Sequence, residues 1–377
     1  MNQDLALKIL SKIMDWDDSR ASDEFRWLRL MARLKYDGYR DFQAGMRFVE
    51  SLSTWLQQFS LQERETAYQF VKNRLVYIGP GQMRRLVEQF YPNIIQKNII
   101  DQVASNANIP AYLGLKNKKE HEAADRLRRQ TLVMGLSDGA RIDILRHANV
   151  GRLSNEQLVL APQVDTIKWK DLLKDLRRDL NDPNVRFRQL YLVDDFTATG
   201  TSFFRWNKQK EEWSGKLTRF LQSVNSAQDE MEEDKLFETD WKIGVHHYLS
   251  SAHASKKIIE RLENANDYLK KMGYSKDISV TFGAVFPADM PIDKSNDLDK
   301  KFIELTRKYY DPIIRTKHTD VGGVEHMGLG YGGCALPVVL EHNTPNNSVA
   351  LLWAETSGDR KTIPAMRPLF RRRQRHT

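Results

Sequence analysis

Cysteine is nearly missing from this chain of 377 residues: Cys334 stands alone. That excludes an intramolecular disulfide framework and a cysteine-based zinc site, and leaves a buried, unreactive thiol as its simplest role. Long apolar runs are missing as well. The longest, such as 348–354, fall far short of the roughly 20 residues a membrane-spanning helix needs, and residues 1–17 mix acidic with apolar side chains in no secretory pattern. The expectations are therefore no membrane association and a cytoplasmic location. Proline and glycine, at 12 and 20 residues, are not enriched, which argues against long disordered stretches.

What is present fits a folded globular protein, with 41% hydrophobic and 29% charged residues. The length suits one large domain with an appended region, or two domains. A formal charge of +8 indicates affinity for anions without saying which. Half of it comes from Arg371, Arg372, Arg373 and Arg375 at the C-terminal end. Such a run could contact nucleic acid phosphates, while its plainer reading is a solvated end.

Residues 1–128 read as helical. Leu5, Leu7, Ile9, Leu10 and Ile13 recur at helical intervals over 4–16. Over 22–35, Ser22 with Asp23 and Glu24 looks like an N-cap ahead of Phe25, Trp27, Leu28, Leu30 and Met31. The stretch 41–59 repeats the theme before Gly79-Pro80-Gly81 breaks it. From residue 129 short β-rich runs alternate with amphipathic helices, the texture of an α/β sheet with crossover connections. Strands are predicted at 130–135, 157–161, 187–193, 241–248, 278–285, and 335–341 with 349–353. Helices are predicted at 139–147, 169–180, 217–226, 255–272 and 299–310. The charged stretch 205–240 predicts an exposed excursion. Three regions result: a helical region over 1–128, an α/β domain over 129–365 and a basic tail over 366–377.

The most informative string begins where the predicted strand 187–193 ends: Val193, Asp194, Asp195, Phe196, Thr197, Ala198, Thr199, Gly200, Thr201, Ser202. Open α/β sheets bind ligands beyond the carboxyl ends of their strands. A small-residue loop there can wrap backbone N–H groups around a phosphate, with the hydroxyls of Thr197, Thr199, Thr201 and Ser202 as further donors. Asp194 and Asp195 would repel one another unless hydroxyl donors or a cation compensate. Ribose hydroxyls supply such donors, and Mg²⁺ suits oxygen ligands. A second loop, Ser137-Asp138-Gly139-Ala140-Arg141, follows the strand 130–135 with donors, a glycine and a cation where a pyrophosphate could lie. Further along, Glu341, His342, Asn343 and Asn346 cluster after an apolar run around Pro345. His342 with Glu341 offers an acid-base or base-recognition pair, and a plain hairpin turn accounts for Asn and Pro equally well. His246 and His247 end another strand, one of them expected to face the same cleft.

The string from Val193 to Ser202 resembles the 5-phosphoribosyl 1-pyrophosphate (PRPP) signature of type I phosphoribosyltransferases. The wider chain resembles the PRTase-CE family, through 136–143, through 330–353 with its Glu341-His342-Asn343-Thr344-Pro345-Asn346-Asn347 segment, and through Arg26-Trp27-Leu28-Arg29 and Lys35-Tyr36-Asp37-Gly38-Tyr39. The resemblance implies a type I phosphoribosyltransferase-like fold, a mostly parallel sheet flanked by helices and preceded by a helical N-terminal region. It implies a toxin-like effector of bacterial antiphage defence, including retrons, beside a reverse transcriptase and its small DNA-RNA product or another defence subunit. PRPP or a nucleotide would lie with its phosphate on Thr197 to Ser202, its ribose on Asp194 and Asp195, and pyrophosphate with Mg²⁺ near Ser137 to Arg141. Asp194, Asp195, Glu341 and His342 are the expected catalytic groups, Asp194 and Asp195 the metal ligands, and Asn343 and Asn346 further ligand contacts. Two alternatives stay open: a non-catalytic PRPP or nucleotide sensor, and a nucleic-acid-binding subunit. Homo-oligomerisation is open too.

Overall fold

The structure is a computed structural model and describes residues 3–40, 42, 45–232, 234–274, 278–359 and 363–372. Among them nine strands occur: β1 (Val76–Ile78), β2 (Thr131–Gly135), β3 (Leu158–Val159), β4 (Phe187–Thr197), β5 (Arg205–Asn207), β6 (Glu212–Ser214), β7 (Phe237–Ser251), β8 (Ser279–Phe286) and β9 (Val338–Leu340). The chain divides into two compact units, one built from 1–83 with 288–377 and the other from 84–287. This differs from a linear cut at 128/129, because the two ends of the chain fold together and the sheet is carried between them.

The unit 84–287 holds a five-stranded parallel sheet in the order β3-β2-β4-β7-β8. Its central strands are apolar on both faces, as parallel strands covered by helices must be: Leu132, Met134, Leu190, Leu192 and Val245 are buried on one face and Val133, Tyr191 and Val193 on the other. The helices Thr166–Leu180 and Lys216–Glu230 bury Trp169, Leu172, Leu173 and Leu176, and Leu217, Phe220, Leu221 and Val224, in the same core. From β2 the chain passes to β3 on one side, then returns to β4 on the other. The order therefore reverses between β2 and β4, and that is where the carboxyl ends of adjacent strands diverge and leave a crevice.

The other unit contains the helices Gln3–Met14, Asp18–Leu34, Phe48–Leu56, Leu61–Asn73 and Asp297–Lys308, with β1 and β9 as a two-stranded parallel pair. Phe70 stacks on Phe302 with ring centroids 3.6 Å apart. Phe370 is fully buried among Tyr36, Tyr39, Phe42, Phe48 and Tyr77. A buried carboxylate, Glu24, is satisfied by Tyr68 Oη and Lys72 Nζ, which offsets the cost of taking its charge out of water.

Several expectations change. The second helix starts at Asp18, capped by Asp17, whose side chain accepts from Arg20 N at 2.7 Å; Ser22 lies inside it. In place of one helix over 41–59, a 3₁₀ turn at Tyr36–Gly38 precedes Phe48–Leu56, and Asp41 lies outside the described residues. Gly79-Pro80-Gly81 opens the helix Pro80–Phe90, with proline where its missing N–H is harmless. The run 335–341 shortens to β9 and pairs with β1, not with the large sheet, while 349–353 is a buried 3₁₀ turn, Ala350–Leu352. A short apolar run marks burial and cannot by itself distinguish a strand from a buried turn. The stretch 205–240 is only partly an excursion: β5 and β6 form a hairpin, and the following helix enters the core. The C-terminal stretch is anchored through Phe370, with Arg371 paired to Glu355 and Arg372 over the Trp353 ring. Arg373 and Arg375 lie outside the described residues.

Candidate functional site

β4 outruns β2. Gly135 pairs with Val193, and β4 then continues through Thr197 on β7 alone, with Asp194 opposite His247 and Thr197 opposite Ser250. The two acids consequently stand on a strand overhanging the end of β2. Leu136 N donates to Val193 O at 2.7 Å and draws the first loop against that overhang. Ser137 is thereby brought onto Asp194 and Gly139 onto Asp195, with Asp138 and Arg141 in the same loop.

The contacts are close. Ser137 Oγ donates to Asp194 Oδ1 and accepts from Gly139 N at 3.2 Å. A Cβ on Gly139 would lie 2.2 Å from Asp195 Oδ2, so glycine lets the loop rest on that carboxylate without moving it. Arg141 takes a left-handed φ of 53° where the 3₁₀ turn Asp138–Ala140 passes into the helix Ile142–Ala148. Asp195 Oδ1 accepts from Phe196 N at 2.7 Å.

Beyond β4 the loop is held from within and from behind. Gly200, at φ +68°, donates its N–H to Thr197 Oγ1 at 3.2 Å, and the hydroxyls of Thr199 and Thr201 are 2.8 Å apart. Arg261 Nη1 donates to Thr199 O at 2.9 Å and to Phe204 O at 3.2 Å, while Ser251 Oγ donates to Ala198 O at 2.7 Å. A Cβ on Gly200 would meet Ile258 Cγ1 at 2.6 Å. Ser202 is exposed, Thr199 and Thr201 are half-buried, and Ala198 is buried. The loop is thus a braced turn with hydroxyls and backbone amides at the sheet's carboxyl edge, a form suited to a phosphate.

One residue outside the sequence-based site joins it. Lys216 Nζ donates to Asp194 Oδ2 at 2.6 Å. Its signal in the sequence is a lysine directly before the predicted helix 217–226, where the helix dipole disfavours a cation. Arg261 and Ser251 carry no such signal, since nothing local marks a side chain that braces a loop more than 50 residues away.

His246 and His247 lie inside β7 and are both buried. Burial pushes His246 down to about 3, and its Nδ1 shares a 2.9 Å hydrogen bond with Thr281 Oγ1. Burial pushes His247 down to about 4 against the opposing pull of Asp194. Both are neutral near pH 7, and among the described residues no group of three or more His, Cys, Asp or Glu is placed to hold a metal ion. Cys334 is largely buried, which pushes its thiol up to about 11 and leaves it protonated.

Glu341, His342, Asn343 and Asn346 belong to the other unit. There Glu341 N donates to Ile78 O at 2.9 Å, extending the β1–β9 pairing, and His342 Nδ1 lies 3.4 Å from Glu341 Oε1. Asn343 N and Leu340 O close a turn at 3.1 Å, and Asn346 O accepts from Tyr331 N at 2.7 Å. The backbone of this segment thus has a structural task, and the Glu341–His342 pair is nearly buried, each side chain under a tenth exposed.

No helix among the described residues is long and apolar enough to cross a membrane. In comparison with known proteins, the PRTase-CE family model matches residues 52–372. No curated protein and no solved structure matches the chain.

Proposed function

The chain belongs to the PRTase-CE family, a phosphoribosyltransferase-like group, and from that premise we propose that it is a transferase-type effector acting on PRPP or a nucleotide at the crevice between β2 and β4. The observation that carries this reading is the convergence of two loops there: Ser137 and Gly139 touch Asp194 and Asp195, and the braced turn from Thr197 to Ser202 follows on the same strand. The 5-phosphate would rest on Thr197, Ala198, Thr199, Gly200, Thr201 and Ser202. Ribose hydroxyls would donate to the Asp195 and Asp194 carboxylates, and pyrophosphate would lie along Ser137, Asp138, Gly139 and Arg141. Magnesium would enter with the ligand as its phosphate complex. In this reaction the bond between the anomeric carbon and the leaving pyrophosphate or base breaks, the electron pair departs with that group, and an acceptor lone pair forms the new bond. Developing positive charge on the ribose would be stabilised by the adjacent carboxylates. Glu341, His342, Asn343 and Asn346 remain proposed acid-base and base-recognition groups.

The biological setting we propose is antiphage defence in the cytoplasm, with a retron reverse transcriptase and its DNA-RNA product as partner. Family membership supports the effector character. The test is direct: purified protein is incubated with PRPP and Mg²⁺, and separately with nucleotides from infected cells, and the products are followed by phosphorus NMR. Release of pyrophosphate or base, lost in Asp194→Asn/Asp195→Asn protein that still folds, is expected. Tight binding without turnover would make the protein a ligand sensor; neither binding nor turnover in the presence of the reverse transcriptase complex would sink the reading. Binding to DNA or RNA with a steep salt dependence that disappears on removing 371–377 would point to the tail as a nucleic acid contact.

A further inference from the structure

Asp194 is the more deeply buried acid, its side chain 5% exposed, and both its oxygens are engaged, Oδ1 by Ser137 and Oδ2 by Lys216. The route by which Lys216 arrives is unusual. After the loop the chain leaves as the β5–β6 hairpin and comes back, so that Lys216 N donates to Ser202 O and Leu217 N to Phe203 O, both at 3.1 Å. Loop and helix are stitched together as though the hairpin were absent. Gly215 makes the closure with φ +135°, and a Cβ there would stand 2.3 Å from Phe203 O.

Lys216 is thereby the first residue of a fifteen-residue helix. A cation at a helix N-terminus faces the positive end of the dipole, so helix stability does not account for it. The ion pair with Asp194 does. His247, opposite Asp194 in the β4–β7 register, is buried and adds no charge at neutral pH. A divalent ion on the same carboxylate would have to displace the ammonium or share one anion with it at a few ångströms, which is strongly repulsive in a desolvated site.

We propose that Lys216 is the built-in counter-ion of Asp194, standing where a divalent cation would otherwise bind, so that metal reaches this crevice only with a ligand's phosphates. Lys216 is a positioning residue: it fixes the Asp194 carboxylate, and through Ser137 the first loop, before any ligand arrives. The inference rests on the ribose-phosphate reading for its purpose but not for its test.

That test measures Mn²⁺ binding to the full-length protein, free of nucleotide, by the paramagnetic resonance of the unbound ion. Lys216→Met is expected to bind Mn²⁺ at least about tenfold more tightly than wild type, the order of effect that removing one close like charge produces. Lys216→Arg should stay at the wild-type affinity, and Lys216→Met/Asp194→Asn should return to it. In the otherwise unaltered protein, Asp194→Asn should leave Mn²⁺ binding unchanged. Wild-type affinity in Lys216→Met would overturn the proposal, and so would a loss of Mn²⁺ affinity in Asp194→Asn alone, because metal would then already sit on that carboxylate. Should Lys216→Met not fold, the Asp194→Asn comparison decides by itself. No substrate is involved, so failure to turn over PRPP would count only against the proposed reaction.

Discussion

Replacing Gly139 by alanine separates ligand binding from folding. The new Cβ would lie 2.2 Å from Asp195 Oδ2 and 2.6 Å from its Cγ, so the carboxylate must retreat by roughly 1 Å to regain van der Waals contact. Asp195 is half-buried and its side chain can rotate, at a cost of about 0.5–1.5 kcal/mol for leaving its rotamer. Gly139 does not use a positive φ, so alanine also restricts the unfolded chain and returns about 0.4–1 kcal/mol. These terms nearly cancel, and urea denaturation should show a change within about 1 kcal/mol. Binding has no such compensation. A carboxylate moved by an ångström loses its charge-assisted hydrogen bonds to a ribose, about 1.5–3 kcal/mol, or about 10- to 150-fold in affinity. Calorimetric titration of PRPP with Mg²⁺ into both proteins reads this difference. Unchanged PRPP affinity in a folded Gly139→Ala protein would refute the assignment of Asp195 and this loop to one site.

Phe370→Ala should cost about 3–5 kcal/mol in urea denaturation, because it empties a fully buried space ringed by aromatic side chains; a loss below 1 kcal/mol would mean the C-terminal segment is not anchored as described. Gly215→Ala should lower the melting temperature and loosen Lys216 from Asp194, since its Cβ would press on a backbone oxygen and not on a movable side chain; an unchanged melt would exclude this closure. The buried histidines set a pH dependence. His247 titrates near 6.5 when unfolded and about 4 when folded, so between these values the unfolded state holds the extra proton, and stability falls as pH drops through that window, by up to about 1.4 kcal/mol per pH unit. His247→Phe should flatten the slope of urea midpoints against pH between 6.5 and 4 relative to wild type; identical slopes would show that His247 is not buried neutral.

Much of the candidate site was legible because its chemistry is local. The apolar run into Asp194-Asp195 and the small hydroxyl residues up to Ser202 announce a strand end and a loop without knowledge of any partner. The alternation of β-rich runs and amphipathic helices announces a parallel sheet, since buried strands and half-buried helices have different periods. The first helical region was harder: Asp17 and Ser22 are both competent N-caps, and only the three-residue link between the first two helices decides for Asp17. Residues 335–341 and 349–353 are ambiguous in the sequence because their apolar character reports burial, and burial is shared by strands and 3₁₀ turns.

The sequence by itself determined the composition of the crevice, two acids, a hydroxyl loop and a Ser-Asp-Gly turn, because those residues are contiguous and their backbone preferences act within a few positions. The tertiary structure alone decided which of them meet. Strand order places β2 beside β4, the greater length of β4 carries Asp194 and Asp195 past the end of β2, and the hairpin returns Lys216 to Asp194. Each of these rests on hydrogen-bond register and on contacts between residues tens of positions apart, and no periodicity along the chain encodes them.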